Sequence, residues 1–508
     1  MKTLLALLLV LLPAAAQYHP PVFTQTDRAE RVKAATYVVD SLYHSFAERR
    51  KLPALVWGVV VDGQLIHTGQ VGEANVSKKI TADARTLFRI ASMSKSVTAM
   101  AVMKLWEEGK LQLDAPAETY LPEMKGLKLL TTDARLITVR DLMTHGAGFP
   151  EDNPWGDRRL ADSDQELIDF VRGGISFSNV PGVEFEYANL GFALLGRIVT
   201  VVSGMPYQQY TTEHIFKPLG MTSTTWEWKD IPASRLALGY QRRDGELVEE
   251  PLLHDGSWGA MGGLITSIED FSKYVAFHMS AWPPRDGDDN GPVRRSSLRE
   301  MQHPWRFAGF NPNARFPGGR VCGMVMAYGY GLNWVRDCEG RTAVGHSGGL
   351  PGFGSNWTIM LQHGIGVLSF ANLTYAGTSG INMSVLDTLV NLTDLQRRVL
   401  PPSEILEQRK DELMKVLPDW NDAERSSLFA DNFFLDTSVT AWRKQSQALF
   451  VKVGAVKSVG PVVPENQLRG TFNIAGENGS ISIFFTLTPE REPKVQELRL
   501  RLLEAVKP

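Results

Sequence analysis

Strand-forming sequence occurs in two blocks set far apart, with helix-forming sequence filling the interval. The first block is Ala54 to Val61 followed by Gln64 to Thr68. Asp62-Gly63 separates its two runs, and an Asp-Gly pair between β-rich runs predicts a tight hairpin. The second block gives strands from Tyr328 to Val335, Arg341 to Val344, Asn356 to Leu361 and Ile365 to Ala371. A lone hairpin cannot bury its apolar face. The two blocks are therefore expected to join in one antiparallel sheet. Val32, Tyr37, Val38 and Leu42 recur at helical spacing within residues 28 to 47, and a second helix is expected from Ser379 to Leu395. Between the blocks, Thr138-Val-Arg-Asp141 resembles a capping box and Ser267-Ile-Glu-Asp270 starts another capped helix. The predicted fold class is α/β: an antiparallel sheet flanked by helices, with an all-helical domain inserted over roughly residues 100–320.

The two ends of the chain read differently from this body. Met1-Lys2-Thr3, the apolar run Leu4 to Leu12 and Pro13-Ala14-Ala15-Ala16 form a charged start, a short apolar middle and a small-residue cleavage site. That is the pattern of a secretory signal peptide, with cleavage expected after Ala16 and a secreted or periplasmic product. The run is too short to span a bilayer, and no later stretch is long enough, so no transmembrane segment is expected. In an oxidising compartment Cys322 and Cys338, the chain's two cysteines, are expected to form a disulfide. At the other end, Leu400-Pro401-Pro402 reads as a linker. Residues 17–400 then form the main domain. Residues 402–508 give helices first and an antiparallel sheet after them, a small α+β domain that faintly resembles cone-shaped NTF2-like domains. With a net charge of -3 and no basic run, nothing points to nucleic acid.

Three short stretches carry chemistry. The first is Ser92-Met93-Ser94-Lys95 at the start of a helix that runs to a stop at Gly109. Residues three apart share a helix face, so the lysine amine reaches the serine hydroxyl. Serine is a weak nucleophile until a neighbouring base takes its proton, and lysine serves as base only when its pKa is depressed. The second is Tyr187-Ala188-Asn189, in a loop just before a helix. In an extended segment a phenol and an amide two residues apart point the same way. Beside a lysine ammonium the phenol pKa is expected to fall, making its phenolate a second base. Asn189 can bond the lysine and a substrate amide together. The third is His346-Ser347-Gly348-Gly349, closing a β-like run whose glycines let another backbone approach. Such an edge can pair with an extended substrate and donate an N–H to its carbonyl. Each stretch alone also fits a structural role: a surface serine and lysine, a core tyrosine with a capping asparagine, a glycine turn.

Taken in order, Ser-x-x-Lys, Tyr-x-Asn and His-x-Gly resemble the serine β-lactamase and penicillin-binding-protein superfamily. The nearest branch includes class C β-lactamases, D-Ala-D-Ala carboxypeptidases, D-aminopeptidases and family VIII esterases. Ile137 to Gly148, Pro181-Gly182 and Gly262-Gly263-Leu264 add to the match, which covers roughly residues 30 to 398. The resemblance implies a β-lactamase/transpeptidase-like fold and an acyl-enzyme on Ser92, with Lys95 and Tyr187 sharing the base role. It implies Asn189 as an orienting group and an oxyanion hole from the N–H groups of Ser92 and Gly349. His346, Ser347 and Gly348 complete the substrate edge, His145 is structural, and no metal or organic cofactor is required. Dedicated β-lactamases of the superfamily usually carry Lys-Thr-Gly where this chain has His346-Ser347-Gly348. Histidine is largely neutral at pH 7, so the fixed charge for a substrate carboxylate is missing. The expected activity is therefore hydrolysis of D-amino-acid-containing peptides or small esters. The alternatives are β-lactam hydrolysis and a sensor of cell-wall fragments or β-lactams that stays acylated. The expected partner is a small-molecule or peptide substrate, peptidoglycan-derived and β-lactam compounds included.

Overall fold

The computed structural model describes residues 18–503. The expected signal peptide lies outside them. Residues 25–397 form one compact unit, and the described residues 18–24 and 398–503 form another. The division falls between Arg397 and Arg398, slightly before the Pro401-Pro402 pair.

The larger unit is built on a nine-stranded sheet. Its order is Ile80–Thr81, Gln64–Asn75, Ala54–Val61, Ile365–Ala371, Phe353–Met360, Thr342–Leu350, Asn333–Asp337, Met324–Tyr328 and Arg306–Asn311. The two blocks meet where Leu55 to Val61 pair antiparallel with Ala371 to Ile365. Asp62 and Gly63 both have positive φ, 49° and 82°, as a tight hairpin with this twist needs. Ala54–Val61 is buried along its whole length because helices cover both faces. Leu55, Trp57, Val59 and Val61 enter a core shared with the helices Thr36–Arg50 and Ser379–Leu392. Val56 and Val60 enter the opposite core, shared with Ser94–Glu107 and Ile268–Met279. Each such side chain, fully buried, contributes about 1.5–3 kcal/mol. Gly58 is the gap in the series, since a Cβ there would lie 2.8 Å from Ile268 Cγ2.

The interval between the blocks is less purely helical than its sequence suggests. It holds the helices Asp164–Arg172, Asn189–Ser203 and Ile268–Met279, but also the hairpin Tyr240–Arg243/Glu246–Glu249. Arg306–Asn311, inside the expected insertion, is the last strand of the main sheet. Both caps form: Thr138 and Asp141 make a reciprocal box, and the Ser267 hydroxyl accepts from the Asp270 N–H. The expected strand from Tyr328 to Val335 divides at Gly331 into Met324–Tyr328 and Asn333–Asp337. Gly331 has φ 64° and packs where a Cβ would meet the Lys95 carbonyl at 2.6 Å, so the chain turns there to clear the nucleophile helix. The expected helix over residues 28 to 47 is two, Arg28–Ala34 and Thr36–Arg50.

In the second unit, Glu404–Val416 and Val439–Val453 precede a five-stranded antiparallel sheet whose long strands are Arg469–Gly476, Ser480–Leu487 and Val495–Leu503. Ser480–Leu487 alternates buried and half-buried residues, with Ile481, Ile483 and Phe485 inward. A disulfide joins Cys322 and Cys338 in the larger unit, with Cα atoms 5.4 Å apart. Among the described residues no single helix is long and apolar enough to cross a membrane.

Candidate active site

Ser92 sits in a 3-10 turn, Ala91–Met93, that runs into the helix Ser94–Glu107. Its N–H lies in the first turn, where a helix leaves such groups without intrahelical partners. Ala91, immediately before it, has φ 53°, a strained conformation for a residue with a Cβ. The turn is pressed against the strand Thr342–Leu350. A Cβ on Gly348 would meet the Ile90 carbonyl oxygen at 2.2 Å, and Ser355 Oγ donates to that same carbonyl at 2.7 Å. Glycine at 348 is what lets the nucleophile's turn approach this strand.

Lys95 is fully buried. Its Nζ lies 2.9 Å from Ser92 Oγ, 2.7 Å from Asn189 Oδ1 and 2.9 Å from the Met261 carbonyl oxygen. Burial pushes its pKa down to about 7, while Asp157 and Asp152 pull it upward. Two of the three neighbours are acceptors only, so they take the two N–H bonds of a neutral amine. The lone pair is then left facing Ser92 Oγ.

Asn189 is fully buried and is the first residue of the helix Asn189–Ser203. The carboxylate of Asp152 accepts from the N–H groups of Asn189 and Leu190 at 2.7 and 2.9 Å, capping that helix from a distant loop. Asn189 Nδ2 donates to Asn153 Oδ1 at 2.7 Å and to Asp157 Oδ1 at 3.3 Å. The amide is thereby fixed with its oxygen on Lys95. The Tyr375 hydroxyl donates to the other oxygen of Asp157 at 2.6 Å.

Tyr187 is half-buried, and Lys95 Nζ stands 4.9 Å from its ring centre. The expectation of a depressed phenol pKa does not hold. Burial raises it, outweighing the neighbouring Ser92 hydroxyl. Lys95, itself depressed, is not a fixed cation beside the phenol. The Tyr187 ring packs 4.2 Å from that of His145, whose Nδ1 accepts the Ala188 N–H at 3.1 Å. His145 thus braces the tyrosine loop.

The neighbouring strand Asn333–Asp337 pairs with Thr342–Leu350 only as far as Gly345. Beyond that the edge is open. Ladder bonds alternate in direction along an antiparallel strand. The tight Leu350–Phe353 turn sets Leu350, Gly348 and His346 bonding inward to Phe353–Met360, which leaves Ser347 and Gly349 facing the open edge. His346 is buried and held below its ordinary pKa, at about 3, chiefly by burial. Both its ring nitrogens are engaged: Nδ1 donates to the Ser347 carbonyl at 2.5 Å, and Nε2 accepts from the Tyr328 hydroxyl at 2.7 Å.

The family model described as Beta-lactamase matches residues 39–392. The chain belongs to the beta-lactamase family. The superfamily is one of serine hydrolases. Protein flp of Staphylococcus aureus (strain MW2) is 26% identical over 378 residues, covering 74% of this chain and 70% of that protein. Beta-lactamase-like protein 4 of Dictyostelium discoideum is 25% identical over 373 residues, covering 69% of this chain and 62% of its own length. Among solved structures, the octameric penicillin-binding protein homologue from Pyrococcus abyssi superposes with a TM-score of 0.59 at 23% identity, covering 91% of this chain and 93% of that one. At that identity the likeness is one of fold.

The structure of this beta-lactamase family member gathers the three stretches read from the sequence around Ser92. It also adds groups that sequence reasoning missed: Asp152, Asp157, the Met261 carbonyl, Tyr328 and Tyr375. Asp152 and Asp157 lie in Glu151-Asp-Asn-Pro-Trp-Gly-Asp157, where acidic residues in a proline- and glycine-containing loop were the available signal. Tyr375 had none.

Proposed function

We propose that this chain is an exported serine hydrolase that works through an acyl-enzyme on Ser92, acting on small esters or on peptides containing D-amino acids. The observation that carries the reading is the setting of Lys95, a buried amine with its pKa lowered to about 7 and its Nζ 2.9 Å from Ser92 Oγ. In acylation, Lys95 takes the Ser92 proton as Oγ attacks the substrate carbonyl. The developing oxyanion is met by the N–H groups of Ser92 and Gly349. Tyr187, a protonated phenol at neutral pH, delivers a proton to the leaving group and is re-protonated from Lys95. Water then attacks the acyl carbon with the same groups in reverse roles, releasing the acid and restoring Ser92.

The third stretch narrows the substrate. With His346 neutral and both nitrogens engaged, the third stretch supplies no cation for a carboxylate beside the scissile bond. This favours esters and internal amides over penicillins or peptides read by a terminal carboxylate. Export is supported by the sequence of residues 1–16 and by the Cys322–Cys338 bond. A panel of p-nitrophenyl esters, D-aminoacyl amides, D-Ala-D-Ala peptides and a chromogenic cephalosporin tests the reading. Turnover of the esters or D-aminoacyl amides with the cephalosporin slowest is expected. A cephalosporin preferred over both would overturn the substrate assignment, and a stable adduct without turnover would favour the sensor.

A further inference from the structure

Beside Ser347 the larger unit holds a groove of about 580 Å³, within the usual range for a small-molecule site. Gly345, His346 and Ser347 line it on one side, so it begins at the open edge where substrate is expected to lie. Its walls are mostly apolar, with Met324, Met326, Trp334 and Met383 prominent. Among the described residues lining it, Arg315 is the one charged side chain, since His346 is neutral, and none is a carboxylate. Arg315 is exposed, and no hydrogen bond or ion pair engages its guanidinium among the described residues.

The wall that carries Arg315 is firmly built. The Cys322–Cys338 disulfide ties its base, and the Cys322 N–H donates to the Ala314 carbonyl at 3.0 Å. Arg320 stands over the Phe316 ring at 4.3 Å and pairs with Asp387, at 2.5 Å, on the helix Ser379–Leu392. That helix supplies Ser379, Gly380 and Met383 to the opposite wall. The Ala314 to Phe316 wall is thus joined to the helix that lines part of the groove.

We propose that this groove is a substrate subsite for an apolar chain whose other end carries a carboxylate, paired with Arg315. The apolar walls gain from burying methylenes or a ring, and the unopposed guanidinium favours an anion. The inference rests on the Ser92 reading only for what becomes of the bound chain. It complements the neutral His346: the charge that recognises the substrate lies away from the scissile bond.

The test is a calorimetric titration of the full-length Ser92→Ala protein, which cannot turn substrate over, with hexanoate, octanoate and octanol. Octanoate should bind more tightly than hexanoate by about fourfold per methylene. Arg315→Gln should weaken octanoate by about fivefold and leave octanol unchanged. Gly380 lines the groove and a Cβ on it meets nothing within 4 Å, so Gly380→Phe, or the smaller Gly380→Leu, adds bulk at the groove wall without a clash. Either should weaken octanoate and octanol together by at least about tenfold. Failure of octanoate to bind at millimolar concentration, or affinities within twofold of the parent in both Gly380 variants, would overturn the subsite. An octanoate-to-octanol ratio untouched by Arg315→Gln would overturn the carboxylate. Because these readings need no chemistry, they stand or fall separately from the labelling of Ser92.

Discussion

Replacing Lys95 by methionine separates the group's catalytic value from its cost to the fold. Methionine is of similar length and fills the same space. The buried amine has a pKa of about 7, against an ordinary value of 10.5 that the unfolded chain retains. Between those two values the unfolded chain binds more protons than the folded one, so folded-state stability rises with pH across that window. Working from the two pKa values, the gain from pH 7 to pH 9 is about 2 kcal/mol. Lys95→Met has no such proton to lose. Its stability relative to wild type, measured by guanidinium unfolding, should therefore be most favourable at pH 7 and fall by about 2 kcal/mol at pH 9. Labelling of Ser92 by a fluorophosphonate should be lost at both. A stability difference equal at the two pH values would contradict the depressed lysine, and wild-type labelling of the variant would remove Lys95 from the mechanism.

Further expectations concern the groups around that amine. Tyr187→Phe keeps the ring and its packing on His145, yet kcat/KM should fall by about 10²-fold or more if the phenol carries protons in both half-reactions. Its effect should not add to that of Lys95→Met, because the two act as a unit, and a loss of only a few-fold would exclude the proton-carrying role. For the wild type, kcat/KM should rise with pH through an inflection near 7 as Lys95 becomes neutral. Asp157→Asn removes a carboxylate that pulls the Lys95 pKa upward, so the inflection should move to lower pH; an unmoved or higher inflection would show that Asp157 does not act on the base.

The sheet was legible in the sequence because its strands are continuous apolar runs set off by turn residues such as Asp62-Gly63. Arg306–Asn311 escaped notice because an edge strand exposed on one side carries no such run; Phe307 and Phe310 are both exposed. The break at Gly331 was equally hidden, since its cause is the approach of the Lys95 backbone from a distant element. The site divides along the same line. Ser92, Lys95, Tyr187 and Asn189 lie in short local patterns. Asp152 and Asp157 act through contacts across more than thirty residues of sequence, and the Met261 carbonyl belongs to the backbone. The raised Tyr187 pKa was not visible either, because it follows from loss of solvent around the phenol on folding rather than from which cation stands beside it.

The most direct test of the account is intact-mass analysis of wild type and Ser92→Ala after exposure to a p-nitrophenyl ester or a fluorophosphonate. Wild type should gain the mass of one acyl or phosphonyl group. Peptide mapping should place it on the segment holding Ser92, and p-nitrophenol should appear in a burst matching the adduct. Ser92→Ala, which removes only the hydroxyl that Lys95 faces, should gain no mass and show no burst. An adduct of the same size on the Ser92→Ala protein, or one mapped to another residue in wild type, would contradict the assignment of Ser92 as the nucleophile.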